Sequence, residues 1–299
     1  MDLSNFFSSR QKRIDCYMSE LLEELPFQSS SLLSAMKYGV LLGGKRIRPI
    51  LMYIIGEIFK VDLHIIDVLA SSVEFIHAYS LIHDDLPSLD GDLLRRGKDA
   101  CHVKFGESTA ILAGNSLQCL AFNILSNLNV TEVSDSKKIR IISELSKASG
   151  VTGMCIGQFL DLESKNKTIK LHELEKIYWY KTGFLINSAI RLVLIVSCKC
   201  KKRIFFALEE YSKNISFAFQ IKDDILDFKS DICRVQPCLS SNQCFKGNTF
   251  PLIIGLEHSK KKLIKLYEEA LMYLKILSDE CVDIKLLEQL AFYIITRNK

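Results

Sequence analysis

Apolar residues recur along most of this chain at three- and four-residue steps, the period that puts one face of a helix into a core. The pattern runs from Leu3 to Leu25, stops at Pro26, and resumes from Ser29 to Leu42. Further helices are predicted over Ile50 to Phe59, Asp62 to His83, Thr109 to Asn127, Ser134 to Ser149 and Gly150 to Leu162. A polar connection, Lys165 to Lys170, precedes a long helix over Leu171 to Cys198, in which Lys181-Thr182-Gly183 forms a weak point in mid-span. Ile204 to Phe228, Phe250 to Ser278 and Asp283 to Arg297 complete the set, and Ser230 to Asn248 reads as one long irregular loop of the kind used as a lid. No strand pattern, internal repeat or heptad run interrupts this. The expected fold is all-α: a single domain over residues 1–299, a bundle of about ten to twelve helices around a central cavity.

Two acidic clusters stand out against this pattern. His83-Asp84-Asp85-Leu86-Pro87-Ser88-Leu89-Asp90 closes one predicted helix, and Asp223-Asp224-Ile225-Leu226-Asp227 lies in another. Asp223 and Asp227 are one helical turn apart and share a face. Like charges about 4 Å apart near a surface repel by on the order of 4 kcal/mol, so each cluster calls for a cation. Neither has an imidazole-and-thiolate set of the kind zinc prefers, whereas magnesium uses one or two carboxylates together with substrate phosphates. On a regular helix Asp84 and Asp90 point roughly 240° apart. Pro87 removes an N–H and disfavours helical geometry at Leu86, so the helix is expected to end there and Asp90 to swing back towards Asp84.

Cations gather near both clusters. Arg95 and Arg96 follow the first, permanently charged and shaped for phosphate oxygens. Gly43-Gly44-Lys45-Arg46-Ile47-Arg48-Pro49 joins two glycines and three cations to a helix start, whose unpaired N–H groups favour anions. His77 lies two turns before Asp84 on one helix face, about 10.5 Å away along the axis. A break at Lys181-Thr182-Gly183 would turn Lys181 and Thr182 towards a phosphate, and Gln220 sits close to Asp223 on its helix.

Composition narrows the function classes. Of 299 residues 48% are hydrophobic, with only five prolines and fourteen glycines, which suits long helices and an ample core. A net charge of +4, dispersed and without an arginine stripe interleaved with aromatics, argues against nucleic-acid binding. No run reaches about 20 apolar residues by this reading, so no membrane insertion is expected. Met1 to Asp15 lacks an apolar signal segment, and the ten cysteines are expected as free thiols in a reducing, cytoplasmic setting.

With GGKRIRP, HAYSLIHDDLPSLD followed by RRG, and FQIKDDILD in that order, the chain resembles the trans-isoprenyl diphosphate synthases over nearly its whole length, most closely the bacterial short-chain members that make farnesyl diphosphate. The resemblance implies chain elongation from isopentenyl diphosphate and allylic diphosphates, two or three Mg2+ per subunit, and a homodimer, for which the apolar Thr109 to Asn127 helix is available. It implies that Lys45, Arg48, His77 and Arg96 bind isopentenyl diphosphate. Arg95, Lys181, Thr182 and Gln220 correspond to contacts on the allylic substrate, with Arg95, Lys181 and Gln220 closest to the chemistry. Asp84, Asp90, Asp223 and Asp227 correspond to the magnesium set. Tyr79, five positions before the first motif, together with the Pro87-Ser88 insertion, fits the type whose product stops at fifteen carbons.

Gly91 and Leu93 stand where relatives commonly have aspartates. Pro237 occupies a usual lysine position, Asn242 replaces an aspartate, and Lys246-Gly247 reverses the common order, which implies a weaker clamp on the allylic diphosphate. Whether Arg297 and Lys299 close over the site stays open. Geranyl or geranylgeranyl diphosphate synthesis is the nearest alternative activity. A non-catalytic prenyltransferase subunit is a third reading, opposed by the retention of both acid motifs, and a terpene cyclase would have no use for the GGKRIRP anion site.

Overall fold

The computed structural model describes residues 2–131, 133–197, 201–235 and 248–298. Pro237, Asn242, Lys246, Gly247 and Lys299 lie outside them. Packing divides the chain into two compact units, Met1–Leu145 with Arg191–Lys199, and Ser146–Ile190 with Cys200–Lys299.

The first unit opens with α1 (Leu3–Glu23), α2 (Ser31–Leu41), α3 (Ile47–Ile58) and α4 (Leu63–Asp84). The side chains of Ser30 and Asp62 accept backbone N–H groups at the starts of α2 and α4 and so fix where these helices begin. Every residue from Ile65 to Ile76 is buried, so α4 is a core helix surrounded on all sides. The two acids that this buries are paired. Asp67 accepts from Tyr53 at 2.5 Å and from Arg13 at 2.6 Å, and Glu74 accepts from Arg46 at 2.7 Å.

After α4 comes a two-stranded antiparallel hairpin, β1 (Leu94–Arg95) and β2 (Lys98–Asp99), which corrects the expectation of no strands. Its turn residues Arg96 and Gly97 both have positive φ, 55° and 75°, as a two-residue hairpin turn requires. Then follow α5 (Cys101–Phe105), α6 (Glu107–Ser126), packed along α4, and α7 (Asp135–Ser149).

The second unit holds α8 (Met154–Ser164) and α9 (Leu171–Tyr178), then a π-helical turn, Trp179–Gly183, that leads into α10 (Phe184–Val196). The anticipated mid-span break is therefore a π turn, centred on Lys181. The helix α11 runs for 34 residues, Lys202–Val235, so the helix covers the first six residues of what was expected to be loop. The predicted last-but-one helix is divided at Gly255, φ 81°, into α12 (Phe250–Ile254) and α13 (Leu256–Asp279), which packs along α11. The closing helix is α14 (Lys285–Thr296), tied to α11 where Tyr211 donates to the Leu287 carbonyl at 2.7 Å.

Among the described residues three segments are long and apolar enough to cross a membrane by length and composition, Leu63–Asp84, Glu107–Ser126 and Leu171–Val196, contrary to the sequence expectation of none. In α4 the apolar window is 83% buried within the protein, so its hydropathy is spent on the core; in α6 the figure is 33%, leaving an apolar face uncovered.

Candidate active site

In the first unit α4 ends at Asp84, and the chain then folds back on itself. The Asp84 carbonyl accepts the Asp90 N–H at 2.9 Å, and the Leu86 carbonyl accepts from Leu89 and Gly91. This is the return expected of Pro87, and it sets Asp90 beside the end of α4. Gly91, φ 68°, occupies a backbone conformation that most side chains resist, which gives a local reason for glycine there.

The inner acid, Asp85, behaves differently from its neighbours. Arg95 Nε donates to both Asp85 oxygens, at 3.0 and 3.1 Å, its Nη2 reaches Oδ1, and Asp92 lies 3.5 Å from the same guanidinium. Burial pushes the Asp85 carboxyl above its usual range, opposed by Arg95. Arg95, expected as a phosphate fork, is thus held by carboxylates on one side and 29% exposed overall.

The glycine-rich segment contributes Arg48 to a cation pocket around His77. Arg48 at the start of α3 and Arg96 on the hairpin turn are the strongest charges acting on the His77 imidazole, which burial above all, and then these arginines, hold well below its usual pKa. A neutral imidazole there keeps one N–H to donate and one lone pair to accept. Arg48 Nε is shut off from solvent and has no hydrogen-bond partner within the protein, an orphaned buried donor of the kind that marks an anion site. The Arg96 guanidinium rests on Gly44, whose φ of 130° favours glycine and where a Cβ would lie 2.6 Å from its Nη2, so a side chain there would displace the guanidinium. Lys45 follows in the chain. Arg46, counted at first with the anion-binding cations, belongs to the core: it is 4% exposed and bonded to Asp15 at 2.8 Å, Glu74 at 2.7 Å and the Val40 carbonyl at 2.6 Å.

Tyr79 is buried below the motif, one turn before His83, whose ring it meets edge to face at 5.7 Å. His83 Nε2 sits 3.1 Å from the Ile111 carbonyl and against Gly114, where a Cβ would come within 2.2 Å. His83, which Tyr79 meets, is thus packed against α6.

In the second unit α11 carries Asp223 and Asp227 one turn apart, as predicted. Its inner acid, Asp224, is buried and accepts the Tyr178 hydroxyl at 2.6 Å and the Phe250 N–H at 2.9 Å. Burial raises its pKa to about 6 despite these donors and a further hydrogen bond from Gln220. Thr182 Oγ1 donates to Gln220 Oε1 at 3.3 Å, which joins two of the sequence-predicted residues. Lys181 Nζ bonds Asp161 of α8 at 2.6 Å. The π turn is pinned by Gly157 of α8, where a Cβ would fall 2.1 Å from the Lys181 nitrogen, and by Gly183, where it would fall 2.6 Å from the Trp179 ring. Finally, Arg297 binds Asp223 at 2.7 Å.

Sequence reasoning missed Asp85, Asp161 and Asp224. Asp161 had a signal, since it stands one turn beyond Gly157, a residue without a side chain that lets two helices approach closely. Among the described residues no three His, Cys, Asp or Glu side chains converge into a metal cage. Paired carboxylates with oxygen donors only, beside orphaned or phosphate-shaped cations, fit magnesium that arrives with a diphosphate better than a metal held by protein alone.

Residues 29–280 match the family described as Polyprenyl synthetase. The chain is 48% identical over 299 residues to a farnesyl diphosphate synthase of Buchnera aphidicola subsp. Schizaphis graminum, and 46% identical over 299 residues to that of Escherichia coli strain K12, with 100% of both chains covered in each case. Among solved structures, a geranyltransferase from Legionella pneumophila superposes with a TM-score of 0.86 at 32% identity, covering 99% of this chain and 97% of the other.

Proposed function

We propose that this chain, which belongs to the polyprenyl synthetase family, is a farnesyl diphosphate synthase, joining isopentenyl diphosphate to dimethylallyl and then to geranyl diphosphate with release of pyrophosphate each time. Full-length identity of 46–48% to two such enzymes carries the reading. The orphaned Arg48 donor, beside Arg96 and neutral His77, supports a diphosphate site in the first unit.

Lys45, Arg48, Arg96 and His77 hold the isopentenyl diphosphate, two guanidinium forks supplying paired donors to its oxygens. Asp84 and Asp90 of one unit and Asp223 and Asp227 of the other are the magnesium ligands, two or three ions per subunit. Bound there, magnesium would supply positive charge to the diphosphate leaving group. Arg95 and Lys181 add fixed positive charge, oriented before reaction by Asp85 and Asp161. The coupled Thr182 hydroxyl and Gln220 amide offer oxygen dipoles to the allylic cation as the C–O bond breaks. The isopentenyl double bond then forms the new C–C bond, orientation supplying much of the rate. Loss of one proton to the departing pyrophosphate restores a double bond, and no side chain is assigned as its base.

Tyr79, backed by His83 and α6, limits chain length, so Tyr79→Ala is expected to lengthen the product beyond fifteen carbons by chromatography of the hydrolysed alcohols. An unchanged profile would remove that role. The uncovered apolar face of α6, with Ile111 and Leu112 42% and 55% exposed, supports a homodimer, which sedimentation equilibrium tests. Incubation of purified protein with magnesium, dimethylallyl diphosphate and isopentenyl diphosphate tests the activity directly. A fifteen-carbon alcohol after phosphatase treatment is expected, and a ten- or twenty-carbon main product would assign the chain to a neighbouring specificity.

A further inference from the structure

Arg297, the residue after α14, has a side chain only 2% exposed. Its Nη2 lies 2.7 Å from Asp223 Oδ1 and donates to the Phe219 carbonyl at 3.0 Å, and its guanidinium covers the Phe219 ring at 4.2 Å from the centroid. Phe219 and Asp223 are one turn apart on α11, so a single helix face grips the cation from three directions. Asp223 itself is 34% exposed, open enough for a ligand to reach it.

We propose that Arg297 is the resident counter-ion of Asp223: it holds the carboxylate while no metal is bound, and an incoming divalent cation must compete with it, so that it sets the metal concentration at which the second acid motif loads. The inference rests on the reading of Asp223 as a magnesium ligand. The electrostatics run one way. Asp223, Asp224 and Asp227 stand together on α11, and Asp224 has its own donors in Tyr178 and Phe250. Asp223 instead depends on a fixed positive charge from outside the helix. A guanidinium held that close to a carboxylate repels a dication approaching the same oxygens, and burial weakens the screening that salt would provide. Arg297 is a positioning residue here, acting through Asp223.

Manganese binding to the protein saturated with a non-ionisable allylic diphosphate analogue, counted by the electron spin resonance of the free ion, reads this without turnover. Arg297→Gln is expected to tighten the manganese site about tenfold, within the range of ordinary coupling between two sites. Arg297→Lys, which keeps the charge, is expected to stay within about threefold of the parent. In an Asp223→Asn background Arg297→Gln should change nothing. Unchanged or weaker binding in Arg297→Gln overturns the proposal while the metal role of Asp223 stands, whereas parent-like binding in Asp223→Asn overturns that metal role itself. Should Arg297→Gln fold poorly by circular dichroism, the Arg297 Nε–H resonance of the parent protein serves instead. It should move on addition of magnesium, and should not move in Asp223→Asn; a resonance that stays fixed in the parent counts against the proposal.

Discussion

The first acid motif sits where a helix ends, and the second sits inside a helix that continues past it to Val235. Each nevertheless divides its aspartates in the same way. In the function proposed above the outer acids, Asp84 with Asp90 and Asp223 with Asp227, take the cation, and the inner acid turns into the protein as a strut. Asp85 braces Arg95, and Asp224 joins α11 to α9 and to the start of α12 through Tyr178 and Phe250. The backbones differ because the spacings do. A four-residue step needs only a regular helix, and a six-residue step needs a chain reversal, supplied by Pro87 and the Asp90 to Asp84 hydrogen bond. What the two regions share is therefore a division of labour among carboxylates, achieved on unlike frames.

Loss of an outer acid should cost most. Asp84→Ala and Asp223→Ala are each expected to lower kcat by on the order of a thousandfold, the scale of removing one preorganised electrostatic element. The melting temperature should change little in Asp84→Ala and fall in Asp223→Ala, which leaves the buried Arg297 guanidinium without its carboxylate. If either variant kept near-parent turnover in steady-state assays, the symmetry between the motifs would fail. Next comes a device peculiar to the second unit. Gly157→Val would drive a side chain into the Lys181 backbone and push the π turn out of place. A loss in kcat/KM on the order of a hundredfold, with about 1–3 kcal/mol of stability, is expected from kinetics and denaturant melts.

The inner acids should separate from the outer ones by phenotype. Asp224→Asn is expected to cost about 1–3 kcal/mol of stability, since it turns the charge-assisted hydrogen bonds from the Tyr178 hydroxyl and the Phe250 N–H, both to one oxygen, into weaker neutral ones. Asp85→Asn, whose partner Arg95 is partly solvated, should cost less stability and should raise the allylic substrate's KM. Equal stability losses in both would mean that the two struts do the same job.

Much of this was legible before any coordinates, for reasons that are local. Proline chemistry at Pro87 and the weak Lys181-Thr182-Gly183 step act on their own neighbours, so the reversal and the π turn could be read from the sequence. Arg46 could not be placed, because the acids that bury it, Asp15 and Glu74, are 31 and 28 positions away. The pairing of Lys181 with Asp161 spans 20 positions and depends on how α8 packs. The hairpin at Leu94 to Asp99 was missed because two-residue strands are too short to show alternation.

The smallest expected effect concerns the cation pocket of the first unit. Burial and the arginines at positions 48, 96, 46 and 95 hold His77 well below its usual 6.5, so the folded protein leaves it neutral where the unfolded chain takes up a proton. Its contribution to stability is therefore present above about pH 6.5 and is lost as pH falls through that value. His77→Gln should flatten the decline in stability between pH 7 and pH 5, measured by denaturant melts at each pH, and an unchanged slope would assign the decline to other groups.

The division between outer and inner acids is tested most directly by a crystal structure with manganese and a non-ionisable allylic diphosphate analogue, the metals located by anomalous scattering. The account predicts manganese peaks ligated by Asp84 and Asp90 in one unit and by Asp223 and Asp227 in the other. It also predicts Asp85 still on Arg95, and Asp224 still on Tyr178 and the Phe250 N–H. Metal bound directly to Asp85 or Asp224, or an acid motif left without metal in the presence of the analogue, would contradict it.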